Sequence, residues 1–369
     1  MTPRISGAEG RVVTVGFMPL LDSALLVAAH EKGFAERQGI RMRLVREVSW
    51  ANLRDRVAFG HFDAAQMLGP MVVASHLLGQ RGDAPLVAPV ALGLGGNAIT
   101  VSRPLWQAMT QHGAELGAPP ARQASALAAQ IAVRRRANQP PLTLAMVFPF
   151  SCHNYQLRDW LQGAGIDPDH DVRMVVVPPP MLVEALRTGQ VDGFCVGEPW
   201  NSLAVDSGLG TIVATASEIW PQPPEKVLGL REEFLEQHPQ LCRALVRAVI
   251  DAARWVAEPA NHVELIRLLG HSRYVGAPER LLAAALEGRI VPMAGAPPLQ
   301  RPEFIQLNEA ATVPQRAHAQ LYCDQIARWR QIAATAQDVE RALQSFRPDL
   351  HAAAVAEKLD AVPASRLSP

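Results

Sequence analysis

The sequence predicts an α/β protein of two lobes with a helical C-terminal region, and three observations point there. Between residues 11 and 92, short β-branched runs alternate with segments of helical spacing, the pattern of a parallel sheet with right-handed crossovers. The segment GHFDAAQMLGP at residues 60–70 is echoed by GQVDGFCVGEP at residues 189–199, with Gly, Asp and Pro at matching places. A helical segment precedes each copy, so the echo predicts two lobes built on one plan. The chain has 369 residues, 49% hydrophobic and 19% charged, which is enough for two lobes with ample core.

The elements follow in order. Residues 11–18 (RVVTVGFM) read as a strand and 19–22 as a turn, where Asp22 or Ser23 can cap a helix over 24–32. Gly33 ends that helix, and residues 42–48 are the next strand. Ser49 caps a helix through 57, a strand spans 62–68, a helix 70–78 and a buried strand 84–92. The glycine-rich GLGGNAITVS at 93–102 reads as the crossing into the second lobe. Residues 103–136 are Ala-rich and helical with a Gly/Pro break near 117–120, followed by a strand at 142–148 and a helix at 155–162. Residues 175–200 (VVVPPPMLVEALRTGQVDGFCVGEPW) read as strand, turn, helix, strand and a polar-tipped loop. That loop stands at the carboxyl edge of a sheet, where open α/β sheets bind ligands. Short strands at 211–214 and 226–230 are expected to return the chain to the first lobe. The expected division is 11–96 for the first part of lobe 1 and 97–210 for lobe 2. Residues 211–345 form the return with C-terminal helices, and 346–369 a tail expected to fray.

Composition narrows the function. Thirty-five basic residues balance thirty-five acidic ones, so no global field draws nucleic acid or membrane. No apolar run is long enough for a bilayer. The opening MTPRISGAEGRVVTVGF lacks the apolar core of a secretory signal, so a cytoplasmic protein is expected. Cys152, Cys195, Cys242 and Cys323 form no CxxC pair and read as free thiols. There is no GxSxG, HExxH or Walker A motif, GLGGN lacks the GxGxxG form, and His30, His61, His76 and His170 show no ligand spacing. The expectation is a binding protein without enzymatic activity, cofactor or metal.

Four places bring polar groups to the predicted edge between lobes. Trp50, after Ser49 at a strand-to-helix turn, offers an indole N–H beside a helix N-terminus, or is a core aromatic. Gly95-Gly96-Asn97 lets backbone approach a ligand and adds an amide, or is a plain hinge. His153, in FPFSCHNYQLRDWL, lies in the loop before a helix, although a single His is commonly structural. Lys226, in QPPEKVLGL, sits between a Pro-rich turn and an apolar strand, which favours a semi-buried position over the usual solvated one. These groups are donors, with no dense acidic cluster in the sequence around them, and suit a small oxyanion. A Lys–monoanion contact supplies ~4 kcal/mol at an effective dielectric near 20. Micromolar binding needs ~8 kcal/mol, which several N–H donors can complete. Glu198, the one carboxylate at the edge, is expected to brace its loop by accepting backbone N–H bonds.

The blocks VGFMPLLDSALLVAAHEKGF, SWANLRDRVAFG, GNAITVS, SCHNYQLRDWLQGAGIDPDHDVRMVVVPPP, VDGFCVGEPWN and PPEKVLGLREEFLEQHPQ resemble the substrate-binding proteins of nitrate and bicarbonate ABC transporters, over most of residues 12–255. The resemblance implies a two-lobed periplasmic-binding-protein-like (type II) fold closing on one oxyanion. It also implies that nitrate is held by Trp50, Asn97, His153 and Lys226 with backbone near Ala51 and Asn52. The family usually has Gln at Asn97, and Gly-Gly-Thr where this chain has Phe150-Ser151-Cys152. In the bicarbonate branch the position of Lys226 tends to be acidic and supports calcium, so a Lys favours nitrate or nitrite. Without an export signal, the chain is similar to the cytosolic nitrate/nitrite sensors of this family. Those sensors hold an RNA-binding ANTAR-type antiterminator and release it when the anion binds. Two other readings are open to the sequence: an exported transporter receptor for nitrate, sulfonate or a related oxyanion, and an enzyme resembling pyrimidine-precursor synthases, which would need a cofactor lysine and a metal-binding Cys/His segment.

Overall fold

The protein, a computed structural model, is described over residues 11–78 and 84–356. Along the chain run β1 (Arg11–Phe17), β2 (Ile40–Arg46), β3 (Ala64–Leu68), β4 (Leu86–Ala91), β5 (Leu94–Gly95) and β6 (Asn97–Ser102). They are followed by β7 (Leu142–Met146), β8 (Val172–Val176), β9 (Gly193–Gly197), β10 (Gly210–Thr215) and β11 (Lys226–Arg231). One sheet has the order β2-β1-β3-β11-β4 and the other β8-β7-β9-β6-β10. In each, three parallel strands are followed by one that runs antiparallel to both its neighbours. The predicted two lobes on one plan are therefore present as a repeated topology.

The sequence echo is the repeated joint between the first and third of the three parallel strands in each sheet. Its first glycines, Gly60 and Gly189, both have positive φ, 75° and 69°, a backbone region that β-carbon sterics deny most residues. Asp63 then accepts the Thr14 amide at 2.8 Å and donates its own amide to Thr14 O at 3.0 Å. Asp192 does the same with Thr143, at 2.7 Å in both directions. Each aspartate thus fastens one strand beside the next. Asp63→Ala and Asp192→Ala are each expected to cost about 1–3 kcal/mol, because a strand amide loses a charged acceptor. Urea unfolding of the two variants checks this, and a neutral result for either would remove the clamp role.

Two expectations about chain path need correction. Residues 211–214 do not return to the first lobe: β10 pairs antiparallel with β6 at the edge of the second sheet, and only β11 crosses back. Both segments are short and apolar, and that pattern cannot say which sheet offers the free edge. The tail expected to fray at 346–369 is ordered through 356. Phe346 is buried and bridges Ala88 on the edge of β4, Arg347 N donates to Ala88 O at 3.0 Å, and Pro348–Ala356 is a helix with His351 and Ala354 buried. Residues 357–369 lie outside the described residues. The helical C-terminal region is as predicted, with helices Pro239–Ala257, His262–Gly270, Glu279–Leu286, Arg316–Arg328 and Ala336–Gln344. Pro239–Ala257 buries Leu245, Val249, Ala252 and Val256 at helical spacing in the core shared with the helix Ala24–Glu31.

Candidate anion site

Asn97 and Lys226 open the two inserted strands, β6 and β11. Asn97 pairs with Gly197 at the end of β9, and Lys226 with Leu68 at the end of β3. Gly197 and Leu68 hold the same place in the echoed segments, so Asn97 and Lys226 are equivalent positions of the repeat, one per lobe. The lobes meet there: Lys226 Nζ donates to Asn97 Oδ1 at 3.3 Å. Both side chains are buried, Lys226 completely rather than partly as the sequence suggested.

His153 arrives from the second lobe on the first turn of the helix Cys152–Gln162. The helix is capped by Ser151, whose hydroxyl accepts the Asn154 amide at 3.1 Å. His153 Nε2 lies 3.3 Å from Lys226 Nζ, and since an ammonium can only donate, Nε2 is the acceptor there. The proton of the neutral ring then sits on Nδ1, a buried atom without a hydrogen-bond partner. Burial, seconded by the Lys226 charge, holds the imidazole well below its usual range and keeps it neutral. Trp50 is both things the sequence allowed. It is packed in the core, its ring centroid lies 5.9 Å from Lys226 Nζ, and its buried indole N–H has no partner.

The structure adds four residues that sequence reasoning missed. Asp22 was read as a helix cap. No side-chain cap bond forms there; instead its buried carboxylate contacts Lys226 Nζ at 3.0 Å and accepts from Gln66 Nε2. Gln66, on β3, also accepts the Met18 amide at 2.8 Å and so holds the segment before Asp22. Glu225 contacts the same ammonium at 3.0 Å and accepts from Asn97 Nδ2. Gln156 accepts a further Asn97 Nδ2 bond at 3.1 Å. The expectation of donors without an acidic cluster is thereby corrected: two buried carboxylates already face Lys226. The ~4 kcal/mol assigned to a lysine facing a monoanion alone does not carry over, because the ammonium's field is largely spent on Asp22 and Glu225. Burial opposes the Lys226 charge, yet Asp22 and Glu225 outweigh it and hold its pKa above the ordinary value. Burial raises Glu225, with Lys226 pulling the other way. The only sequence signals were adjacency (Glu225 beside Lys226) and two acids in turns; partners some two hundred residues apart leave no local pattern.

Ala51 and Asn52 follow Trp50 on the first turn of its helix. Asn52 has an exposed side chain, with Nδ2 3.5 Å from Glu47 Oε2. The first bond of the helix Trp50–Ala58 runs from Leu53 N to Ser49 O at 3.2 Å, so the amides of residues 50–52 precede it. The expected side-chain cap by Ser49 does not form. Gly95 and Gly96 are not a loose hinge: Gly95 N donates to Pro223 O at 2.8 Å and Gly96 N to Phe304 O at 2.6 Å, while β5 pairs with Ile305–Gln306.

Glu198 braces its loop as expected, accepting the Ser202 amide at 3.1 Å, and its backbone joins the lobes through Leu21 N and Gly96 O. Burial pushes its carboxyl up to about 7, and its other oxygen has no partner. A folded pKa raised above the unfolded one stabilises fully only below the unfolded value. The contribution is therefore lost as pH rises from the ordinary carboxylate range through about 7. Glu198→Gln is expected to flatten the fall in stability across that window, as read by thermal melts at pH 5 and pH 8; parallel curves for both proteins would contradict it.

Comparison with known proteins places this geometry. The model of the NMT1-like family matches residues 6–270. The chain belongs to the NMT1-like family. The nitrate import ATP-binding protein NrtC of Synechocystis is 34% identical over 94% of this chain and 50% of its own length. The nitrate/nitrite binding protein NrtA of Synechococcus elongatus is 32% identical over 78% of this chain and 66% of its own. This NMT1-like chain spans about half the length of the first curated relatives it matches. Among solved structures, the periplasmic nitrate-binding protein NrtA from Synechocystis superposes with a TM-score of 0.84 at 25% identity, covering 93% of this chain and 88% of that one. The fold is the two-lobed, periplasmic-binding-protein-like (type II) architecture that the sequence implied.

Proposed function

We propose that this protein binds nitrate or nitrite between its lobes and acts as a cytoplasmic sensor of that anion. The observation that carries the binding reading is the buried Lys226, a first-lobe cation that meets Asn97 and His153 of the second lobe. An anion seated there joins groups of both lobes and favours their closure. The unpartnered donors His153 Nδ1 and Trp50 Nε1 belong to the same cluster. Relatives named for nitrate and nitrite binding support this anion, and relatives named for bicarbonate transport support a small oxyanion more broadly. Glu198 is a brace and the other acids face a lysine, an arrangement suited to binding rather than turnover.

For the role we propose regulation of an RNA-binding antiterminator of ANTAR type. Closure on the anion shifts the population away from the form that holds this partner, so the partner is released. Isothermal titration with nitrate and nitrite tests the binding. His153→Ala is expected to weaken it at least tenfold, and the absence of any heat with the wild-type protein would end the assignment. A pull-down with and without nitrate tests the role: it should recover an RNA-binding protein of this type only when nitrate is absent. The likeness to periplasmic NrtA favours a second reading, a receptor for an oxyanion transporter. Recovery of the native protein in the periplasmic fraction would select it.

A further inference from the structure

Lys226 faces more negative charge than it carries. Its ammonium lies 3.0 Å from Asp22 Oδ2 and 3.0 Å from Glu225 Oε1, with all three side chains buried. With both acids ionised the cluster holds one net negative charge, and a nitrate beside Lys226 would bring a second. Water cannot screen such a pair at this depth, so the complex forms at low cost only if one acid becomes neutral. Nitrate is too weak a base to bring the proton itself.

We propose that anion binding at this site is coupled to uptake of a solvent proton by the Glu225 carboxylate. This rests on the anion-binding reading above. Glu225 suits the role better than Asp22. Asp22 keeps both oxygens in use, one accepting from Gln66 and the other on Lys226. Glu225 keeps its bond from Asn97 on Oε2, while its buried Oε1, 3.0 Å from Lys226 Nζ, makes no hydrogen bond and can carry the proton and donate to an anion oxygen in place of repelling it.

The other titratable groups around Glu225 come from every neighbouring element. His153 and Cys152 open the helix Cys152–Gln162, Cys195 lies on β9, and Tyr322 belongs to the helix Arg316–Arg328. Burial keeps both thiols and the phenol protonated, so they cannot take up a further proton, and uptake by the neutral His153 is opposed by burial and by the Lys226 ammonium 3.3 Å from its Nε2. An added anion raises the Glu225 pKa further in the complex. Binding is then strongest at low pH and is lost as pH rises through the pKa of the complex.

The test is nitrate titration calorimetry on the full chain from pH 5.5 to 8.5, in two buffers of different ionisation heat. The wild-type protein should take up close to one proton per nitrate in the upper part of the range, with affinity falling about tenfold per pH unit there. Glu225→Gln should show no uptake and no slope. Wild-type binding with flat affinity and no proton uptake overturns the proposal while leaving anion binding intact. A slope that survives in Glu225→Gln also overturns it, since the proton then resides elsewhere. No nitrate binding at any pH fails the anion reading and this coupling together.

Discussion

Lys226→Met is expected to abolish nitrate binding and to destabilise the fold by about 3–5 kcal/mol. The two losses have one cause. Lys226 is the counter-ion of two buried carboxylates, Asp22 and Glu225, each 3.0 Å from its ammonium. Methionine fills the space of the stem but leaves both acids facing each other with no cation. Removing one partner of a buried ionic set costs far more than the set contributes over an apolar replacement. Binding loses the cation that meets Asn97 and His153, on the order of a hundredfold or more in affinity, about 3 kcal/mol. Urea unfolding at pH 7 and nitrate calorimetry read the two effects separately. Adding Asp22→Asn and Glu225→Gln to Lys226→Met should recover much of the stability and none of the binding. A Lys226→Met protein that unfolds like the wild type would show that the ion cluster is not as closed as described.

Gly95→Ala is expected to cost at least about 3 kcal/mol, as large an effect as one methyl group produces on a chain. Gly95 has a φ of 75°, and a β-carbon there would lie 2.3 Å from the carbonyl oxygen of Phe304. That oxygen is backbone and already accepts the Gly96 amide, so it cannot swing away. Relief would require β5 to part from Ile305–Gln306, directly before Asn97 opens β6. The substitution should therefore reach the site as well as the fold: a lower midpoint in urea together with weaker nitrate binding. Gly39→Ala, with a similar φ of 74° and open space around it, isolates the backbone strain from the clash and should cost much less. Equal losses in the two variants would mean that the Phe304 contact does not matter.

Local pattern made much of the fold legible. Apolar periodicity located most strands and helices, and the echo of residues 60–70 in 189–199 announced a repeated plan. That plan is visible in structure as the matched clamps of Asp63 on Thr14 and Asp192 on Thr143. Where reading failed, the deciding contact was remote. β10 reads as a strand in any sheet, and only the open edge beside β6 assigns it. Residues 346–356 read as part of a fraying tail until Phe346 is seen against Ala88.

The site divides the same way. The sequence by itself determined the donor types, Trp50, Asn97, His153 and Lys226, because each stands at a strand or helix end that its neighbours mark. It also determined the family, through motifs such as VVVPPP and FCVGEPWN. Only the tertiary structure decided their electrical setting. Asp22 lies in a turn that reads as a helix cap, and Glu225 in a Pro-rich turn where the sequence marks only its neighbour Lys226. Folding carries both into the buried space around Lys226, from places some two hundred residues apart in the chain. Charge interactions depend on distance and burial, neither of which a linear pattern records. The residues were therefore readable one by one, while the balance of charge among them was not.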